Sequence, residues 1–342
     1  MIIAVDTRDN RVYGRDLFLK VAKDHPQHIF IFILAPLNSS LNFPENIIPV
    51  IIKDPKITLL SQVINDQKIS FVLKKYKADV YLSEKYLPNA KVAQCLIGNK
   101  EEKKTGLQKA KVVVVDSQFS KQEIIKKCKI EEDKICVVHP GVGESFNPVD
   151  PDNREKLKEE YAEGNEYFLS AAENAGTNNL LNLLKAFSIF KKRLKSSMQL
   201  LIISRNKLHP EFIEQLRLYK LKSEIKIYEN IDENQLPKIT ASAYAMIHLA
   251  DFAGFNIPPL TSIKCNVPVI VTEKSKSAEI CGNAALYVNP ADNKDIAEKM
   301  MLIYKDEKLR QQIIEKGKQQ IEKYSWDKAA DSLWQSIIKA TA

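Results

Sequence analysis

The sequence predicts a doubly wound α/β fold, built twice in succession. Three observations carry this. Short β-branched runs such as HIFIFIL and KVVVV alternate with amphipathic stretches, which is the pattern of parallel strands covered on both faces by helices. The alternation stops once, in the Pro-, Gly- and Asp-rich segment His139–Asn153, and then begins again. The length of 342 residues suits about two domains at roughly 150 residues each.

Taken in order, Met1–Asp6 reads as a strand, Leu17–Lys23 as a helix and His28–Leu34 as a buried strand. Leu60–Tyr76 is helical, Asp79–Leu82 and Val92–Ile97 are strands, and Glu101–Lys109 is a charged helix. Lys111–Val115, Lys121–Lys127 and Lys134–Val138 form a strand–helix–strand run. After the break, helix Arg154–Tyr161 leads into strands Tyr167–Ala171, Gln199–Ile203, Ile225–Tyr228, Ala245–His248, Val267–Val271 and Ala285–Val288. Helices lie between them. Asn179–Leu194 is the longest, with Leu180, Leu183, Leu184, Phe187 and Phe190 on one face. Three helices close the chain: Asp292–Tyr304, Glu307–Lys323 and Trp326–Ala340, the last capped by Ser325 with Asp327 in its first turn.

Composition bounds the function. The hydrophobic fraction of 44% and charged fraction of 27% exclude a disordered or fibrous protein. The net charge of +8 is spread along the chain, which suits an anionic small ligand or a negatively charged surface. No basic stretch is interleaved with aromatics, so no nucleic-acid partner is expected. The five cysteines show no CxxC and no zinc spacing, and reduced thiols in the cytosol are the expectation. MIIAVD lacks the form of a signal peptide. No apolar run reaches membrane-spanning length. The 10 glycines are fewer than half the usual ~7%, sparse for a chain that cradles phosphates on glycine loops. The lysine clusters Lys126–Lys129 and Lys191–Lys195 read as solvated helix faces.

Ordered stretches of the second half resemble a known family. They are Asp116–Pro148, Tyr167–Arg193, the segment AYAMIHLADFAGFNIPPLTSIKCNVPVIV (Ala243–Val271), SAEICGNAALYVNPADNKDIAEKM (Ser277–Met300) and YSWDKAA (Tyr324–Ala330). Together they are similar to the group 1 glycosyltransferases, glycosyltransferase family 4. The resemblance implies the GT-B architecture, two Rossmann-like domains facing a cleft. It implies an acceptor-type domain at 1–148, shortened before Val112, a donor-type domain at 149–324, and a terminal helix, 325–342, crossing back to the first. It also implies sugar transfer from a nucleoside-diphosphate sugar, with retention at the anomeric carbon and without a metal or other cofactor. A glycan or lipid-linked acceptor would complete the reaction.

The positions that carry the family's chemistry read differently. The two signature glutamates fall at Ala253 and Thr261, and the second glycine of the turn is Asn256. The arginine and lysine that clamp the donor diphosphate fall at Thr177 and Asn178, which can donate hydrogen bonds but carry no charge. No catalytic residue is therefore assigned. The candidate donor-binding set is Gly254, Phe255, Asn256, Ile257, Thr261, Thr177, Asn178, Arg205, Lys207 and Glu279. Backbone N–H groups of the FNI turn would face an anion at the helix opened by Pro258. Arg205 and Lys207 would replace the missing clamp, or simply form a solvated basic loop. Asp251 sits too far along the chain to replace Ala253 directly.

Two readings stay open. One is a divergent glycosyltransferase of glycan synthesis with an altered donor site. The other is a non-catalytic glycosyltransferase-like protein that binds a protein partner or a glycan. The expected location is cytoplasmic, at most peripheral at the inner membrane face. No amphipathic aromatic-basic helix is evident.

Overall fold

The computed structural model describes residues 1–8, 14–36, 42–53, 61–98, 104–172, 176–249 and 257–342. The first elements are β1 (Ile2–Asp6), α1 (Gly14–Asp24), β2 (Ile29–Leu34), β3 (Ile47–Ile51), α2 (Ser61–Lys75), β4 (Val80–Ser83) and β5 (Ala93–Ile97). They continue with α3 (Lys104–Lys109), β6 (Val112–Val115), α4 (Gln118–Cys128) and β7 (Ile135–Val137). Then come α5 (Pro151–Ala162), β8 (Tyr167–Ala171), α6 (Thr177–Leu194), β9 (Gln199–Ser204), α7 (Pro210–Arg217), β10 (Ile225–Glu229), α8 (Gln235–Ala241) and β11 (Ala245–His248). The chain ends with α9 (Ile257–Lys264), β12 (Val269–Thr272), α10 (Lys276–Cys281), β13 (Ala285–Val288), α11 (Asn293–Lys305), α12 (Glu307–Ile321) and α13 (Trp326–Thr341). Two compact units result: Met1–Gly141 with Ser325–Ala342, and Val142–Tyr324.

The first unit holds a seven-stranded sheet in the order β3-β2-β1-β4-β5-β6-β7, parallel at every pairing. Strand periodicity sorts its core. Ile3, Val5, Phe30 and Phe32 point to the face covered by Leu17, Phe18 and Val21 of α1 and by Ala329, Ala330, Leu333 and Ile337 of α13. Ala4, Ile31 and Ile33 point to the other face, under Ile69, Val72 and Leu73 of α2. Ser325 caps α13, accepting from Lys328 N at 3.2 Å. A Cβ on Gly141 would stand 2.4 Å from Trp326 N, so only glycine lets the two segments pass this closely.

Sequence reasoning missed β3. Pro49 sits at its centre and argues against a strand. The strand lies at the sheet edge, beside β2 alone, where the missing N–H costs no pairing.

The second unit holds a six-stranded sheet, order β10-β9-β8-β11-β12-β13, again parallel. One face packs Phe168, Leu200 and Ile202 under Leu180, Leu183, Leu184, Phe187 and Phe190 of α6. The other packs Leu169, Leu201 and Ile203 against Tyr161, Ile239 and Ile263. The units separate at Gly141/Val142, earlier than the 148/149 expected from the sequence. Apolar residues inside the Pro/Gly-rich segment explain the difference. Val142 is buried with Leu260, Ile280 and Tyr324, Phe146 packs beside them, and Lys264 Nζ donates to Gly143 O at 2.8 Å.

Lys191 departs from the solvated face expected of its cluster. Its ammonium pairs with Glu224, donates to Met198 O at 3.0 Å and lies 5.8 Å from the Phe187 ring centre. The carbonyls of Ser196 and Met198, in the loop just past α6, and the negative end of its dipole are what this lysine satisfies. Lys126, Lys127 and Lys129 are exposed, as a solvated face requires.

Candidate functional sites at the strand-order reversals

In an open parallel sheet, ligands bind outside the carboxyl ends of the strands, where the strand order reverses. Each unit has one such point. In the first it lies between β1 and β4, in the second between β8 and β11.

At the first, Asp6 ends β1. Arg8 lies two residues on and grips the carboxylate with both sides of its guanidinium: Nε to Oδ1 at 2.9 Å and Nη2 to Oδ2 at 2.7 Å. Its Nη1 donates to Asn65 Oδ1 of α2 at 2.7 Å. Tyr81 of β4 donates its hydroxyl to Asp6 Oδ2 at 3.1 Å. Burial, and then the Asp6 charge, push the Tyr81 phenol well above its ordinary range, so it stays a donor. The Arg8 and Asp6 side chains are only 9% and 14% exposed, so this is an internal ion pair and not a surface one. The Asp66 carboxyl next to Asn65 is raised by burial, against the opposing pull of Lys85 and Arg8. Sequence reasoning noted only that the first strand ends in Asp6. The D-x-R spacing was the available signal.

The second reversal is built from backbone. Gly176, at φ 69°, is the N-cap of α6 and supplies no side-chain cap. The first turn of α6 contains no acid. Asn179 is buried and its Nδ2 donates to Leu249 O at 2.7 Å, which fastens the start of α6 to the chain leaving β11. The positive end of the dipole of this 18-residue helix lies at the reversal, with a polarity that suits an anion. Thr177 is half-buried and Asn178 exposed at this terminus. His248, which ends β11, is 1% exposed and sits in the sheet interior.

The remaining candidates fall around it unevenly. Arg205 and Lys207 are exposed just past β9, the strand next to β8. Ile257 opens α9. Thr261 is 4% exposed, and its hydroxyl donates inward to Pro258 O at 2.9 Å. Glu279 is half-buried in the first turn of α10, and its charge lifts the Tyr324 phenol, after the larger effect of burial. Asp251, Ala253, Gly254, Phe255 and Asn256 lie outside the described residues.

Three of the five cysteines are buried. Burial pushes the Cys265 thiol up to about 12 and raises those of Cys95 and Cys281 as well. Among the described residues, no cluster of His, Cys, Asp or Glu could hold a metal, and no helix is long and apolar enough to cross a membrane.

Residues 152–320 match the family model described as glycosyl transferases group 1. The chain is 28% identical over 192 residues to the O-antigen chain mannosyltransferase RfbU of Salmonella typhimurium, covering 56% of this chain and 50% of that protein. It thus spans about half the length of that curated relative. Among solved structures it is similar to a glycosyltransferase from Rickettsia africae, with a TM-score of 0.80 at 20% identity over 99% of this chain and 98% of that one. It is also similar to Anabaena Alr3699/HepE in complex with UDP and glucose, with a TM-score of 0.76 at 12% identity over 98% and 99% of the two chains. The fold is therefore the two-domain α/β architecture of these glycosyltransferases, and residues 152–320 form a domain of the group 1 glycosyltransferase family.

Proposed function

We propose that this chain is a nucleotide-sugar-dependent glycosyltransferase of glycan synthesis. Its second unit is the donor-type unit and its first the acceptor-type unit. The observation that carries the reading is the N-terminus of α6, with a glycine N-cap and no acid in its first turn, at the strand reversal inside the stretch matched by the family model. The donor diphosphate meets the N–H groups of that turn, with Thr177 and Asn178 adding neutral hydrogen bonds. Arg205 and Lys207, exposed just past β9, supply positive charge at the carboxyl end of the sheet. The name of the Salmonella relative supports a mannosyl donor and a glycan acceptor. HepE, solved with UDP and glucose, supports a nucleoside diphosphate as the leaving group.

A second reading has its own support. Thr261, the counterpart of the glutamate that holds the donor ribose, spends its hydroxyl on Pro258 O. With neutral residues at 177 and 178, this favours a glycosyltransferase-like protein that binds a partner protein or glycan with little turnover. One panel separates the two. Calorimetry on the full chain with nucleoside diphosphates and their sugars should show binding near millimolar, carried mostly by the phosphates. Two missing charged interactions put turnover about 10²–10⁴ below an ordinary kcat of ~10 s⁻¹. Transfer at about one per second or faster would show the altered positions to be largely compensated. No binding of any nucleotide would leave the second reading standing.

A further inference from the structure

We infer that Lys276 and Thr272, at the carboxyl end of β12, complete the donor site by holding the phosphate charge of a nucleoside-diphosphate sugar. The inference rests on the donor-site reading above and adds to it the buried positive charge that Thr177 and Asn178 do not supply. Among the described residues only two lysines are buried as whole residues, Lys158 at 5% and Lys276 at 9% exposure. Lys158 belongs to the amino end of the second sheet, where it pairs with Glu155 and Glu166. Lys276 opens α10, shortly after β12, and so stands at the carboxyl end. β12 is the neighbour of β11, one of the two strands of the reversal.

Sheet register places Thr272. Asn179 Nδ2 donates to Leu249 O at 2.7 Å, which fixes the first turn of α6 beside the end of β11. His248, the residue before Leu249, pairs with Val271. Continued by one residue, that register sets Thr272 next to Leu249, about 4.8 Å away. Side chains alternate along β12: Ile270 packs in the cluster under α6 and Val271 on the opposite face. Thr272 therefore points to the α6 side. Its hydroxyl is buried and has no hydrogen-bond partner among the described residues. An unpartnered buried hydroxyl is costly, and a phosphate oxygen at the α6 terminus can accept from it.

Helix packing places Lys276. Lys276 and Ile280 share one i, i+4 row of α10. Ile280 clusters with Leu260, in the first turn of α9. Both helices start at the carboxyl end of parallel strands and run back along the sheet. Lys276 thus lies one turn nearer that end than the Ile280–Leu260 contact, beside the start of α9. It flanks the reversal on the β12 side, as Arg205 and Lys207 do on the β9 side. The two flanks differ in burial. Water and salt screen the exposed Arg205 and Lys207, whereas a buried ammonium acts through a lower dielectric and is the stronger phosphate partner.

Ligand-observed NMR titration of the full chain with GDP and UDP tests the assignment. Lys276→Gln should bind the better diphosphate roughly tenfold more weakly than wild type, and Thr272→Val about threefold more weakly. Lys276→Arg, which keeps the charge, should stay within about threefold of wild type. Urea unfolding of each variant confirms folding. A further arm needs no variant: saturating diphosphate should slow acetylation of Lys276 in the wild type, read by mass spectrometry, and leave Lys158 unchanged. If no nucleotide binds the wild type, the donor-site reading falls and this inference with it. If nucleotides bind but Lys276→Gln binds them as the wild type does, or the diphosphate leaves Lys276 unprotected, the inference alone is overturned. A loss that Lys276→Arg does not restore also overturns it, because the lysine then acts through packing and not through charge.

Discussion

The two units share a sheet topology and place an arginine–carboxylate pair, buried in the first and half-buried in the second, at opposite ends of the central strand. In the first unit Asp6 and Arg8 stand at the carboxyl end of β1, at the strand reversal itself. In the second, Glu166 precedes the amino end of β8 and is held by Arg154 and Lys158 of α5. Its carboxyl end is left to the backbone of α6. A side-chain ion pair fills the space where ligands enter a parallel sheet and neutralises its charge. A helix terminus directs a fixed positive potential at this end of the sheet. The same fold thus yields one reversal that carries a paired charge and one that presents a helix terminus suited to an anion.

The largest test of this contrast is Arg8→Met. It leaves a buried carboxylate without its partner and should cost about 3–5 kcal/mol of the first unit's stability. Nucleotide binding in the second unit should be unchanged once the variant is folded. Urea unfolding and calorimetry read the two effects separately. If nucleotide affinity falls with Arg8, the first reversal also takes part in donor binding.

Asn179→Ala strikes the second reversal. It leaves the buried carbonyl of Leu249 without this donor and frees the start of α6, at about 1–3 kcal/mol. Unlike Arg8→Met, it should weaken nucleotide binding as well as stability, because the terminus it fixes is the proposed phosphate contact. Next in size is Thr177→Arg with Asn178→Lys, which adds charge where the backbone now works alone. Nucleoside diphosphate affinity should rise roughly tenfold, about 1.4 kcal/mol. An unchanged affinity in calorimetry would mean that the phosphates do not sit at α6.

The contrast also marks what the sequence could reveal. Continuous apolar runs made β1, β2 and β8 readable, because a parallel strand is buried on both faces, and the 3.6-residue pattern of Leu180 to Phe190 made α6 readable, because that helix buries one face against the sheet. The edge strand β3 was hidden by Pro49. The exposed apolar residues of α2 were hidden for a different reason. That helix carries apolar residues on both sides, Ile69 and Val72 inward and Ile64 and Phe71 outward, so no single apolar stripe stands out. At the candidate site, the residue identities at 177, 178 and 261 were legible. That the Thr261 hydroxyl turns to Pro258, and that Asp6, Arg8, Asn65 and Tyr81 converge, required three dimensions.

The smallest expected effect concerns acid. Burial alone would raise the Glu166 carboxyl, but hydrogen bonds and charge from Arg154 and Lys158 outweigh it, and its pKa is depressed on folding. A carboxylate depressed in the folded state stabilises above its unfolded pKa of about 4.3, and that contribution fades as pH falls through the folded value. Glu166→Gln should therefore lower the urea midpoint of the second unit at pH 7 and remove the part of its acid sensitivity that begins just below pH ~4.3. Wild type and variant should converge in more acidic solution, where the native carboxylate is protonated. Because Glu166 lies at the amino end of β8, nucleotide affinity at pH 7 should be the same in both. A loss of affinity in Glu166→Gln would tie the two ends of β8 together and undo the separation between the stabilising pair and the anion-binding terminus.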